Sequence, residues 1–129
     1  MMLPVALEDR LFEAEVNEQP AKIVSVDTVL EAVASQVHVT RSQIMSHARD
    51  RRVVLARSLT IFIVRQLTPM SFPEIAAAMA RSNHSSILTA ARRIERNLRD
   101  RVSVNVPGCL DPVLLVDLID RIKHAIRKR

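Results

Sequence analysis

The sequence has few of the residues on which several common kinds of binding site depend. Its 129 residues include one glycine, Gly108, so a Gly-rich phosphate loop or dinucleotide fingerprint cannot be formed. It has no Trp or Tyr and only three Phe, which removes the usual aromatic platform for single-stranded nucleic acid. The single cysteine, Cys109, excludes an internal disulfide and favours a reducing compartment. We therefore expect no nucleotide-binding site and no disulfide framework.

Targeting and membrane signals are also missing. The N-terminal residues MMLPVALEDRLFEAEV contain acids early and no basic region, unlike a secretory signal. No uninterrupted apolar run reaches the length that spans a bilayer. The sequence therefore predicts a cytoplasmic protein without a membrane partner.

Charge is distributed unevenly along the chain. Residues 1–31 contain seven acids and two bases, whereas residues 32–101 contain twelve arginines and four acids. Residues 102–129 contain five bases and three acids, and the whole chain carries a net charge of +5. A middle segment whose positive excess consists of arginine favours a polyanionic partner, although a solvated basic surface is the alternative.

Capping signals and apolar spacing predict an all-α fold, a compact bundle of about six helices. Asp27 is predicted to cap a helix that runs to about Gln36. Thr40 and Gln43 form a capping box that begins a short helix. The apolar stretch over residues 53–67 predicts a central helix enclosed by the others.

Two further predicted helices form a helix-turn-helix pattern over about residues 71–98. The first spans residues 71–80 and starts with a capping box of Ser71 and Glu74. The second begins at Ser82 or Asn83. A helix that enters the DNA major groove needs short polar side chains at its start, because these let its backbone approach base edges. In an ordinary bundle the same residues would only cap the helix. The residues in question are Asn83, His84, Ser85 and Ser86.

The remaining segments give weaker signals. Residues 1–22 are expected to be an acidic lead, either a short helix or disordered. Residues 22–26 and 101–106 alternate weakly and are predicted to be extended connectors. Asp111 and Pro112 are predicted to begin a last helix, whose apolar stripe we expect to pack on its own bundle. The stripe consists of Leu115, Leu118, Ile119, Ile122 and Ile126.

The segment SFPEIAAAMARSNHSSILTAARRIE, residues 71–95, resembles the C-terminal DNA-binding domain of the bacterial replication initiator DnaA. The resemblance continues through the basic segment 48–58 and covers about residues 23–126. It implies a Trp-repressor-like DNA-binding domain over residues 23–129 and double-stranded DNA as the partner. The positions that match the family's pattern as they stand are Ser71, Pro73, Glu74, Ile75, His84, Arg92, Ile94 and Glu95.

The resemblance also implies which residues contact DNA. The family's major-groove tetrad corresponds to residues 83–86, and its minor-groove arginine aligns with Arg49. Arg57 is expected on a phosphate, with an ion pair inside the bundle as the alternative. For Arg49, Arg51 and Arg52, the alternative is a solvated loop. The other contacts that it implies are Arg51, Arg52, Ser71, Arg81, Ser82 and Arg92.

The sequence departs from the family at the turn. The family's Gly-Gly-Arg is Ala80-Arg81-Ser82 here, so the turn either accepts alanine at positive φ, at a cost of about 1 kcal/mol, or is rebuilt. Asn83 replaces an acid, which changes the groups offered to the bases. No ATPase domain precedes the segment in this sequence. We therefore expect a stand-alone DNA-binding protein without ATP-dependent initiator activity.

These residues favour one of three functions. The leading one is a sequence-specific duplex-DNA binder, either a transcriptional regulator or a nucleoid protein that occupies DnaA-type boxes. The alternative is a protein-interaction module or homodimer that uses the acidic lead and the last helix. An enzyme is disfavoured, since His47, His84 and Cys109 lack the neighbours that a catalytic site needs. No metal-ligand spacing is present, so no metal or other cofactor is expected.

Overall fold

Six helices and one two-stranded sheet make up the described part of the chain. The structure is a computed structural model that describes residues 24–81 and 84–128, and at His84 it describes the backbone alone. The all-α prediction is confirmed. The predictions for residues 1–22 and for caps at Ser82 and Asn83 lie outside the described residues. The elements are α1 (Val26–Val37), α2 (Arg41–Met45), α3 (Arg51–Leu67), α4 (Phe72–Ala78), α5 (His84–Arg99), β1 (Ser103–Val104), β2 (Val113–Leu114) and α6 (Leu115–Arg127).

Both predicted capping boxes are present. The Thr40 Oγ1 accepts a hydrogen bond from the Gln43 N–H at 3.0 Å, and the Gln43 Oε1 accepts one from the Thr40 N–H at 2.8 Å. In the same way, the Ser71 N–H donates to the Glu74 Oε1 at 2.7 Å. These reciprocal bonds satisfy backbone N–H groups that have no partner within the helix, so α2 and α4 begin where the local sequence predicts.

The prediction that Asp27 caps α1 is wrong. Ser25 is the N-cap, and its Oγ accepts a hydrogen bond from the Thr28 N–H at 3.2 Å. Asp27 lies in the first turn instead, where its carboxylate interacts favourably with the helix dipole. It also pairs with Arg41 of α2. The polar residue two positions earlier is thus the cap, and Asp27 has an ionic partner in the next helix.

The central helix α3 begins at Arg51, two residues before the predicted start. The Asp50 carboxylate caps it by accepting from the Arg52 N–H at 2.9 Å. The helix packs against α1, α2, α4 and α5, as its apolar composition predicts. Its buried polar side chain Thr60 donates to the Ala56 carbonyl at 2.8 Å, which satisfies the hydroxyl inside the core.

The helix start predicted at Asp111 and Pro112 is also wrong. The extended connector predicted over residues 101–106 contains the short strand β1. Val104 pairs with Val113, and Ser103 pairs with Leu114, in an antiparallel ladder. The helix α6 then begins at Leu115, whose N–H donates to the Val102 carbonyl at 2.9 Å. Burial of Val113 in this pairing outweighs the local capping signal at Asp111.

The apolar stripe of α6 is buried within the bundle, as predicted. All five residues of the stripe are at most 5% exposed, and α6 packs mainly on α1. Val116 is the one large apolar side chain of α6 that is exposed. This helix therefore offers no broad apolar face for a dimer. Within the described residues, no helix combines the length and apolar character that crossing a membrane requires.

Three helices are followed by a residue other than glycine in the left-handed region of backbone conformation. His38, Ala80 and Arg101 have φ values of 61°, 58° and 55°. At the end of α4, the Ala80 N–H donates to the Ala77 carbonyl and the Arg81 N–H to the Ala76 carbonyl, at 3.1 and 2.8 Å. This is a Schellman motif, in which the left-handed position usually holds glycine. The turn is therefore kept, with alanine in the unfavourable conformation.

We expect Ala80→Gly to raise the free energy of unfolding by about 1 kcal/mol, because glycine has no Cβ to strain at positive φ. Urea denaturation measures the change. Ala77→Gly is the matched control within α4, where helical backbone makes glycine unfavourable by about 0.5–1 kcal/mol. Loss of stability in both variants would contradict the left-handed turn.

Candidate nucleic-acid interface

The helix-turn-helix places α5 with one face in the core and one on the surface. Ile87, Ala91 and Ile94 are buried, which anchors the helix against α3 and α4. The opposite face is exposed and consists of polar and basic side chains at helical spacing. Its members are Ser85, Thr89, Arg92 and Arg96. The start of α5 is thus a polar surface that a ligand can approach.

Residues 46–50, which we call the basic loop, are held by the side chain of Arg57. The Arg57 Nε donates to the Ile44 carbonyl at 3.0 Å, and its Nη2 donates to the carbonyls of Ser46 and Ala48 at 2.7 and 3.2 Å. A longer contact reaches the Gln43 carbonyl at 3.5 Å. One guanidinium therefore ties α3 to the end of α2 and to the basic loop.

This arrangement gives Arg57 a role that the sequence did not predict. Its Nε and Nη2 donate to backbone carbonyls. The alternative of an ion pair is not found among the described residues, and the phosphate contact stays a prediction. Burial lowers the pKa of Arg57, and the nearby charge of Arg81 lowers it further. The guanidinium still remains charged at neutral pH, since arginine titrates far above it. We assign Arg57 to holding the loop.

A cationic groove lies between the basic loop, α3, the turn and α5. We call it the arginine groove; its volume is about 550 Å³. Ser86 of α5 and Arg49 of the basic loop both line it, so the two predicted DNA-contacting elements face the same space. None of the ion pairs within residues 24–81 and 84–128 involves an arginine of this groove. Its polar lining consists of His47, Arg49, Arg57, Ser58, Arg81, Ser86 and Arg93.

A second groove of about 1000 Å³ runs from the start of α3 to β1. Arg51 and Arg52 line this groove, while Arg49 and Arg93 line both grooves. The positive charge is therefore continuous from the basic loop to the middle of α5. A continuous cationic surface of this kind suits a polyanion better than it suits a single small anion.

Arg93 was not among the residues predicted from the sequence. It lies seven positions after Ser86, two helical turns along α5, and so shares the face of Ser86 toward the basic loop. That spacing was the available signal. Arg92, which the sequence did predict, is exposed but lines neither groove.

Arg51 and Arg52 occupy the first turn of α3, where the helix dipole disfavours positive charge by about 0.3–1 kcal/mol per residue. Both side chains are exposed, and Asp50 supplies one compensating carboxylate at the cap. The stability of the fold alone therefore does not favour arginine at these positions, whereas binding of an anion would favour it.

Ser71 lies outside both grooves, and its polar groups are already used by the capping box. The hydrogen bonds from Ser71 lower the pKa of the Glu74 carboxyl, so this box stays charged at neutral pH and weakens only as acid protonates Glu74. A carboxylate at this helix start opposes a phosphate. The structure thus does not bring Ser71 to the arginine groove, whereas Ser82, Asn83 and the side chain of His84 lie outside its description.

The candidates for catalysis are dispersed. The His47 ring contacts Arg81, and Cys109 is exposed on the loop between β1 and β2. Among the residues that the structure describes, no group of three His, Cys, Asp or Glu side chains is placed to hold a metal ion.

Comparisons with known proteins agree with the geometry. The family described as "Bacterial dnaA protein helix-turn-helix" matches residues 26–94, which cover α1 to most of α5. The chain is 33% identical over 93 residues to the chromosomal replication initiator protein DnaA of Agrobacterium fabrum, covering 72% of this chain and 19% of that protein. It is 31% identical over 104 residues to that of Bradyrhizobium, covering 79% and 22%. The chain thus spans about a fifth of the length of these curated relatives.

Proposed function

Because this chain belongs to the bacterial DnaA helix-turn-helix family, we propose that it binds double-stranded DNA sequence-specifically. The start of α5 would enter the major groove, and the basic loop would reach the adjacent minor groove. The observation that carries this proposal is that Arg49 and Ser86, from two different elements, line one arginine groove. Duplex DNA presents phosphates on both sides of each base-contacting element, which matches this layout.

The proposed contacts fall into two classes. Arg51, Arg52 and Arg93 would neutralise phosphates, which supplies affinity without sequence preference. Residues 83–86 and Arg49 would contact base edges, which supplies specificity. Exposure of Ser85 and Ser86 supports this division, because a base-contacting side chain has to be accessible.

We propose a role in replication control at DnaA-type boxes or in transcriptional regulation. The support for this role is that the relatives are named chromosomal replication initiators, and the chain matches about a fifth of their length. We propose a binding protein rather than an enzyme, located with the chromosome in the cytoplasm. Burial of the α6 stripe gives the homodimer alternative no support.

Selection of bound duplexes from a random pool would identify the preferred site. On that site we expect Arg49→Ala and His84→Ala each to weaken binding by about 1–3 kcal/mol, because each removes a base contact. Fluorescence anisotropy measures the affinity. Arg121→Ala on α6, which lies outside both grooves, is the charge control for Arg49→Ala.

Random duplex separates the two classes of contact. His84→Ala should change the affinity for random duplex much less than the affinity for the selected site. An equal loss on both duplexes would contradict base recognition by His84. Failure of the wild-type protein to enrich any duplex would contradict the proposed function itself.

A further inference from the structure

The turn of the helix-turn-helix is joined to the basic loop by the side chain of Arg81. Its Nη2 donates to the Ser46 carbonyl at 2.6 Å, and its Nη1 lies 2.8 Å from the His47 Nδ1. An arginine only donates hydrogen bonds, so the His47 Nδ1 accepts and the ring proton sits on Nε2. Two planar contacts by one guanidinium fix direction as well as distance.

The same carbonyl is also the acceptor for Arg57. Nη2 atoms of Arg57 and Arg81 both donate to the Ser46 oxygen, at 2.7 and 2.6 Å. Arg57 comes from α3 and Arg81 from the turn, so Ser46 is the point at which three parts of the chain meet. Two like charges repel each other across this carbonyl, and the charge of Arg81 adds to burial in lowering the pKa of Arg57.

Such a junction has a mechanical consequence for the interface. The basic loop contains Arg49, and the turn leads directly into α5. Without Arg81, the loop would still be held to α3 by Arg57, but its link to the turn through Ser46 and His47 would be lost. The spacing between Arg49 and the start of α5 would then be less defined.

We infer that Arg81 is a positioning residue that sets the spacing between the basic loop and the start of α5. This inference rests on the proposed function, since the spacing matters only if both elements contact one duplex. It also changes the role expected for Arg81 from the sequence, which was a direct DNA contact. In this role the side chain acts on DNA through the basic loop, which both of its Nη atoms contact.

Arg81→Lys is the most informative variant, because it keeps the charge but loses the planar pair of contacts. We expect it to weaken binding to the selected duplex by about 10-fold while changing the affinity for random duplex by less than about 2-fold. Arg121→Lys is the matched control and should change neither affinity. If Arg81 contacts a phosphate directly, Arg81→Lys should instead bind both the selected and the random duplex almost as tightly as the wild-type protein does.

A double-mutant cycle then tests the route. His47→Ala should weaken binding to the selected duplex in the wild-type background and add little in the Arg81→Lys background, because the contact is already lost. Independent, additive losses would overturn the inference.

Hydrogen exchange of the free protein tests the junction without DNA. In Arg81→Lys the amides of the basic loop should exchange faster, including the Ala48 N–H that donates to the Ser46 Oγ at 3.1 Å. Unchanged exchange would overturn the positioning role even if DNA binding is confirmed. Faster exchange in a protein that binds no duplex would instead retain the junction and reject the proposed function.

Discussion

Replacing Ser86 with glutamate should weaken duplex binding by about 100-fold while leaving the protein folded. Ser86 is exposed in the first turn of α5 and lines the arginine groove with Arg49 and Arg93. A carboxylate there would pair with these arginines and repel phosphates. At a helix N-terminus it would also interact favourably with the helix dipole, so we expect the free energy of unfolding to be unchanged or higher.

Ser35→Glu provides the matched control for this variant. Ser35 is exposed on α1 and lines neither groove, so the same change of charge should alter affinity by less than about 3-fold. Anisotropy titrations of both variants at one salt concentration give the comparison, and urea denaturation shows that both are folded. If the two glutamates weaken binding equally, the start of α5 is not the DNA-contacting surface.

The second large effect is expected at Arg57. We expect Arg57→Leu to lower the free energy of unfolding by about 2–4 kcal/mol, because several carbonyls lose a charged donor at once. Arg57→Lys should lose less, since one ammonium group can reach only some of these carbonyls. Both variants should also bind the selected duplex more weakly, because the basic loop is released.

Arg65→Leu is the control for the loss of an arginine from the same helix. The Arg65 Nη1 donates to one carbonyl, that of Met70, at 2.8 Å, and its guanidinium lies 4.7 Å from the centre of the Phe72 ring. We expect a loss of about 1 kcal/mol from these exposed contacts. Equal losses at Arg57 and Arg65 in urea denaturation would contradict the special role of Arg57.

What the sequence predicted correctly depends on neighbours in the chain. The capping boxes at Thr40 and Ser71 and the stripe of α6 follow from residues three or four positions apart, and the structure contains them as predicted. The helix-turn-helix has the same origin, with the addition of a resemblance to known sequences. Local rules thus predict most of the helices, and the resemblance to known sequences identifies the basic loop.

What the sequence missed depends on contacts between distant residues. Val113 forms a strand because it pairs with Val104, which no local signal at Asp111 and Pro112 reveals. Arg57 holds carbonyls nine to fourteen residues earlier in the chain, and an arginine's sequence position does not show whether it faces backbone or solvent. These contacts become visible only once the helices are placed relative to one another.

The turn shows how a departure from a family pattern can be physically interpreted. The sequence left two outcomes open at Ala80, strain or a rebuilt turn, and the φ of 58° together with two Schellman hydrogen bonds selects strain. The adjoining Arg81 supplies two contacts to the basic loop, which a glycine could not make. The two departures from the family pattern therefore have opposite effects, since Ala80 strains the turn and Arg81 holds it to the basic loop.

An NMR titration of isotope-labelled protein with the selected duplex tests the central claim most directly. The account predicts that amide shifts cluster in the basic loop, the first turn of α3 and α5 up to Arg93, with little change in α1 and α6. Shifts that cluster on α1 or α6 instead, or no shifts at any duplex concentration, would contradict it.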